Sequence, residues 1–195
     1  MNFWSVYEEE KAKPEFGNVQ LYIRSRDRIH LSLSHVEHHG VLLGMNQGTF
    51  RKYSEEGRFV MSKSLTHDLF VSIYDVNTTQ STVLRFSQKL SDGALKKVTT
   101  NLRALKKPNL EMRVIGLQDR DTELLSSAER LYASAKPALV ELDVFGGETR
   151  HLVFDTKLGM VFNLLLLNRI YRPHELATTQ SADEYNKMKA ELKFA

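Results

Sequence analysis

No cysteine occurs in the 195 residues of this chain. Disulfides, thiolate nucleophiles and cysteine-ligated zinc or iron–sulfur sites are therefore excluded, and a reducing compartment suits the composition. Long apolar runs are also missing. The longest, 159–167, is interrupted by Asn163 and falls far short of the ~20 residues that cross a bilayer as a helix. Residues 1–10 lack the basic-then-apolar order of a secretory signal, so a cytoplasmic protein with no membrane partner is expected. Prolines number four, and neither internal repeats nor low-complexity linkers break the chain, which points to a single domain, 1–195. Charge of one sign is only mildly in excess, at +3 with a pI of about 9.0. That is compatible with a nucleic-acid partner, but local clustering has to decide.

Several chemistries lack their motifs. There is no Gly-Lys-Ser/Thr phosphate loop, no dinucleotide-type glycine pattern and no serine in a nucleophile-elbow context. Nothing in the chain argues for an enzyme or calls for a cofactor. His35 and His39 stand one helical turn apart, as two metal ligands would, but the sequence fixes no third ligand. They are read as polar residues near a helix C-terminus, so no metal is expected. His151 and His174 are isolated and support no triad.

What the chain does contain is an ordinary supply of core residues, 42% hydrophobic against 26% charged, and one stretch with an unusual change of period. From Gly17, the residues Val19, Leu21 and Ile23 alternate with Gln20, Tyr22 and Arg24, the pattern of a half-buried strand. From Ser25 the period becomes helical, with Ile29, Leu33 and Val36 on one face, Ser25 as N-cap and Gly40 as C-cap. A two-stranded ribbon fits the DNA major groove, where glutamine and arginine give bidentate contacts to adenine and guanine. Paired with its copy across a two-fold axis, this strand would form such a ribbon, as in ribbon-helix-helix repressors. The competing reading is the solvent face of an ordinary antiparallel strand. The motif needs a second helix within 41–57, where Gly44 and Gly48 each cost ~1 kcal/mol in a helix interior.

The remainder, 58–195, reads as a body of helices and antiparallel strands. Strands are expected at 69–74 and 82–86 around a turn at 75–79. Ser91 and Asp92 open a helix whose apolar stripe is Leu95, Val98, Leu102 and Leu105, stopped by Pro108. Its other faces carry Lys96, Lys97, Arg103, Lys106 and Lys107, with no acid between Ala94 and Asn109. Such a run is commonly a solvated face. Beside a DNA-reading ribbon, phosphate contact is the better reading, with Lys96, Lys97, Arg103 and Lys107 as contacts. A strand at 110–117 and a helix from Asp119 or Asp121 to Ala135 follow. Residues 139–154 read as a hairpin turning at Gly146 and Gly147, 158–171 as a helix that is either central and buried or a dimer interface, and Ser181 to Glu184 as the capping box of a last helix. The fold expected is α+β, a ribbon-helix-helix-like DNA-binding element (17–57) merged with a mixed helix and antiparallel-strand body (58–195). A second location for the ribbon is 149–155, followed by helices 157–172 and 182–193. Leu152, Val153 and Phe154 make it too apolar for reading DNA.

The junction Leu21 to Arg26, followed by Leu31, resembles the AcaB-type ribbon-helix-helix activators of conjugation genes, encoded on conjugative plasmids and integrating conjugative elements. Their N-terminal pattern is aliphatic-x-aliphatic-x-(Ser/Thr)-Arg before a short helix. The later order of elements is also similar, from the capped helix through Arg150 to Phe154 to the leucine-rich segment 158–172. The resemblance implies a homodimeric transcriptional regulator of transfer genes that binds double-stranded DNA, with RNA polymerase as a further candidate partner. Carried over, Gln20, Tyr22 and Arg24 would face bases, while Ser25 and Arg26, with Arg28, would hold phosphates. Two other readings remain open: an accessory or single-strand-binding protein of a mobile element, using the Lys96 to Lys107 face, and a protein-interaction module.

Overall fold

All seven residues of the strand Leu69–Asp75 are buried, so a packed layer must cover each of its faces. A computed structural model of the chain describes residues 3–5, 8, 36, 38–105, 108–117, 122–144, 149–163 and 192–193. In chain order these give β1 (Gly40–Leu42), β2 (Gln47–Lys52), a 3-10 turn (Glu55–Gly57), β3 (Phe59–Leu65), β4 (Leu69–Asp75), β5 (Gln80–Phe86) and α1 (Asp92–Arg103). Then come β6 (Leu110–Gly116), α2 (Thr122–Ala135), β7 (Leu139–Val144), β8 (Arg150–Asp155), β9 (Met160–Asn163) and β10 (Leu192–Lys193). The described strands form a six-stranded sheet, ordered β10-β2-β5-β4-β6-β7, and a four-stranded sheet, ordered β1-β3-β8-β9. The result is a mixed α+β fold of three layers.

Alternation along each central strand assigns the layers. Leu69, Val71 and Ile73 of β4 join Leu84 and Phe86 of β5 under the helices, where Leu95, Val98 and Leu102 of α1 and Leu124, Leu125, Ala128 and Leu131 of α2 meet them. The alternate residues Phe70 and Tyr74, with Val83 and Ile115, face the other way and pack on Val60, Leu152, Phe154 and Val161 of the second sheet. Each such large side chain contributes about 1.5–3 kcal/mol by its burial. Phe3 joins the helix-side core, edge to Trp4 and 5.8 Å from the Tyr132 ring.

The parallel neighbours β6 and β7 require a crossover, which α2 supplies. Helix α1 is capped as its sequence predicts, with the Ser91 hydroxyl accepting from the Ala94 amide at 3.2 Å. Helix α2 closes through Lys136, whose φ of +48° is left-handed and whose amide donates to the Tyr132 carbonyl at 2.8 Å.

Four sequence expectations need correction. Residues 41–57 hold no α-helix, only the 3-10 turn at Glu55–Gly57, so the second helix that a ribbon-helix-helix element needs there is missing. Strand β1 pairs with β3 and β2 pairs with β5, in different sheets. Gly44 and Gly48 disfavour a helix, and Thr49, which faces away from the helix layer, alternates with Phe50, which packs against it.

The segment 139–154 is no hairpin. Strand β7 pairs with β6 and β8 pairs with β3 and β9, so the chain passes from one sheet to the other between them. The buried Arg150 fastens that passage, donating to the Asp143 carbonyl at 2.6 Å and to its carboxylate at 3.1 Å.

Residues 158–163 are not helical either. Asp155 accepts from the Lys157 amide at 2.8 Å and sets a turn that leads into β9. Gly159 sits at φ +66°, where a Cβ would lie 2.2 Å from the Tyr74 ring. Two bonds pin this turn to the larger sheet, Tyr74 hydroxyl to Lys157 carbonyl at 3.0 Å and Arg113 to Gly159 carbonyl at 2.6 Å. Finally, β8 has a partner on both edges, so 149–155 cannot form a ribbon with its copy. The expected helix from Ser181 lies outside the described residues, apart from Leu192 and Lys193, which are in β10.

Candidate nucleic-acid interface

Helix α1 lies on the outer layer, and its buried stripe of Ala94, Leu95, Val98 and Leu102 fixes which side chains face solvent. At 100° per residue, Lys96, Thr100 and Arg103 project directly away from that stripe, and Lys97 flanks them. All four are exposed. Lys96 and Arg103 are two helical turns apart, about 10 Å along the axis. The acid nearest to them on the helix is Asp92, one turn before Lys96. Asp92, the one acid of the first turn, bonds Arg130 of α2, and that guanidinium holds its carboxyl below the usual range.

Of the residues singled out in the sequence, the structure thus brings Lys96, Lys97 and Arg103 together on one face. Gln20, Tyr22, Arg24, Ser25, Arg26, Arg28 and Lys107 lie outside the described residues. Sequence reasoning missed Lys89, exposed just before α1, and Lys52, exposed at the end of β2. Lys52 could have been found by reading the alternation across Thr49, Phe50 and Arg51 as a strand.

Three arginines behave differently. Arg58 bonds Asp155, with Nη2 at 2.8 Å. Arg113 is held by Glu111 and Glu141, each at 2.7 Å. Arg85 bonds Asp68 through Nε at 2.7 Å. These arginines are interior or seam groups whose charge is spent on the fold. His151 Nδ1 accepts from the Ser64 amide at 3.3 Å; burial, followed by Lys63 and Arg85, pushes its pKa down and favours the neutral ring that this bond requires. His38 and His39 stack edge to face at 4.8 Å; His35 and His174 lie outside the described residues. Among the described residues no group of three or more His, Asp or Glu could hold a metal ion, and no helix is long and apolar enough to cross a membrane.

Asp143 carries a pH signature. Burial raises its carboxyl from 3.8 to about 6, against the opposing pull of Arg150. The folded protein therefore holds this proton more tightly than the unfolded chain does. Its contribution to the unfolding free energy rises as pH falls from about 6 towards 3.8, opposite to an ordinary salt-bridged aspartate. Wild type should gain on Asp143→Asn by about 1–3 kcal/mol between pH 7 and pH 4. Urea unfolding of both proteins at the two pH values checks this, and a gap that is constant or shrinks with acid refutes it.

No protein-family model matches this chain, and no curated protein matches it.

Proposed function

We propose that this protein is a DNA-binding regulator that grips the phosphate backbone of duplex DNA with the outer face of α1. The observation that carries the reading is the exposure of Lys96, Lys97 and Arg103 on one helix face, with no acid between Ala94 and Asn109. Lysine and arginine contacts to phosphate position a protein on DNA but carry no sequence information. Base reading is assigned in this proposal to Gln20, Tyr22 and Arg24, on the strength of their hydrogen-bonding chemistry. Activation of transfer genes by a homodimer would follow from the family resemblance alone.

The test is fluorescence-anisotropy binding to promoter duplex and to scrambled duplex across a salt series. Replacing Lys96, Lys97 and Arg103 together by glutamine should flatten the slope of log K against log salt by about 2–3, since each lost phosphate contact removes about 0.9. Folding stability should change by less than about 0.5 kcal/mol, because the three positions are exposed. A Gln20→Ala, Arg24→Ala variant should keep the slope and lose the preference for the promoter. An unchanged slope in the triple variant would remove α1 from the interface, and absence of duplex binding would end the proposal.

A further inference from the structure

Beside the basic helix face, an open cleft of about 180 Å³ lies between the C-terminal end of α1 and strands β2 and β5. Phe50, Leu102 and Leu105 supply apolar walls, and Lys52, Gln80 and Asn101 line it with polar groups. Phe50 and Leu105 are only partly buried against the helix-side core, so both offer apolar surface to the cleft. Its size is of the order of the ~150 Å³ cavity that accepts a benzene ring. A single flat ring fits inside it, and a fused purine fits with one of its two rings in the open mouth.

The chemistry around the ring site is specific. Glutamine and asparagine each present a donor and an acceptor, which suits a ring with a polar edge. The Asn101 amide nitrogen donates to the Lys97 carbonyl at 3.1 Å, which leaves its oxygen for a ligand. Lys97 stands one turn before Asn101, so the two side chains share the flank of α1 that borders the cleft. Lys52 is exposed on the opposite side. None of the lining residues is acidic. An aliphatic chain would leave both amides unmet, and a neutral sugar, although it could lay a C–H face on Phe50, would bring no charge to the lysines. A flat ring with a hydrogen-bonding edge and an attached anion meets Phe50, both amides and Lys52.

We propose that this cleft holds the base of an unpaired nucleotide, stacked on Phe50, edge-bonded by Gln80 and Asn101, with its phosphate between Lys52 and Lys97. The same chemistry serves a free nucleotide and an unpaired residue within a strand; only the second case rests on the nucleic-acid reading above. The deciding comparison is the affinity of the full chain for a short oligothymidylate and for an abasic strand of equal length and charge. Calorimetry with AMP and UMP runs alongside.

Wild type should prefer the base-bearing strand by about tenfold, the effect of one stacked base. Leu105→Trp, which fills the cleft without changing charge, should abolish that preference and leave abasic binding as it was. Asn101→Leu, at an exposed position that does not threaten folding, should reduce it. Equal wild-type affinity for both strands with no mononucleotide binding overturns the inference, as does a preference untouched by both variants. In either case duplex binding by α1 can survive, so the two proposals fail separately. Binding of AMP or UMP that Leu105→Trp removes, with no strand or duplex bound, would keep the cleft as a free-nucleotide site and end the DNA-binding proposal.

Discussion

Replacing Gly116 by alanine is expected to cost at least about 3 kcal/mol of folding stability, a large part of what a domain of this size has. Gly116 ends β6 at φ +126°, and a Cβ there would lie 2.3 Å from the Asp68 carbonyl oxygen and 2.9 Å from Leu65 Cδ2. The obstacle is backbone, which cannot rotate aside. That carbonyl also accepts from the Leu117 amide at 3.1 Å, and Leu117 is itself left-handed at φ +59°. Displacing Asp68 would disturb the Arg85 ion pair as well, because its carboxylate is the acceptor. Gly93→Ala is the internal control. Its new Cβ would meet only the Ser91 hydroxyl, at 3.9 Å, on an exposed helical position. Entropy lost by the unfolded chain should then stabilise the protein by about 0.4–1 kcal/mol. Urea unfolding of the two variants should give shifts of opposite sign. Equal stabilities would show that the corner at Asp68 yields.

Local signals explain what was legible in the chain. The capping serine at Ser91, the stripe from Leu95 to Leu102 and, for α2, Pro137 two residues past Ala135 all act within a few residues, and α1 and α2 stand where these signals put them. The strands at 69–75 and 80–86 and the turn between them are equally local. Asp75 accepts from the Asn77 amide at 3.3 Å, and Thr79 takes the left-handed position at φ +54°. The same device recurs at Asp155 and Gly159, but the leucine-rich residues after it favoured a helical reading of 158–163. An aspartate four residues before a glycine was the signal that should have prevailed.

Partner choice was not legible. The alternation in 139–144 and 150–155 is equally consistent with pairing to each other and with separation into two sheets. What separates them is a buried arginine at Arg150 and a covering layer that no local pattern announces. The candidate interface was legible in part, because the exposure of Lys96, Lys97 and Arg103 follows directly from the helical period. Lys52 and the cleft beside it were not, since they depend on β2 lying next to β5 and on the end of α1 lying over both. Such a site exists only once tertiary contacts are made.

The remaining large effect is expected at the Asp68–Arg85 pair, and it takes a double-mutant cycle to read it correctly. Arg85 is 8% exposed and Asp68 2%. Besides Asp68, Arg85 donates to the Lys63 carbonyl at 2.7 Å and the Ser64 carbonyl at 3.2 Å, where the register of β3 shifts between Ser62 and Leu65. Asp68→Ala leaves a buried guanidinium without its counter-charge and should cost about 3–5 kcal/mol. Adding Arg85→Met removes the stranded charge and keeps most of the volume. Arg85→Met should therefore cost less in the Asp68→Ala background than in wild type, by about 1–3 kcal/mol of coupling. Strict additivity would mean that the two side chains do not act as a pair. Because the pair is buried, added salt should leave the coupling unchanged, whereas binding through the exposed face of α1 should weaken steeply. One salt series on stability and on binding thus separates the charges that hold the sheets together from those proposed to hold a nucleic acid.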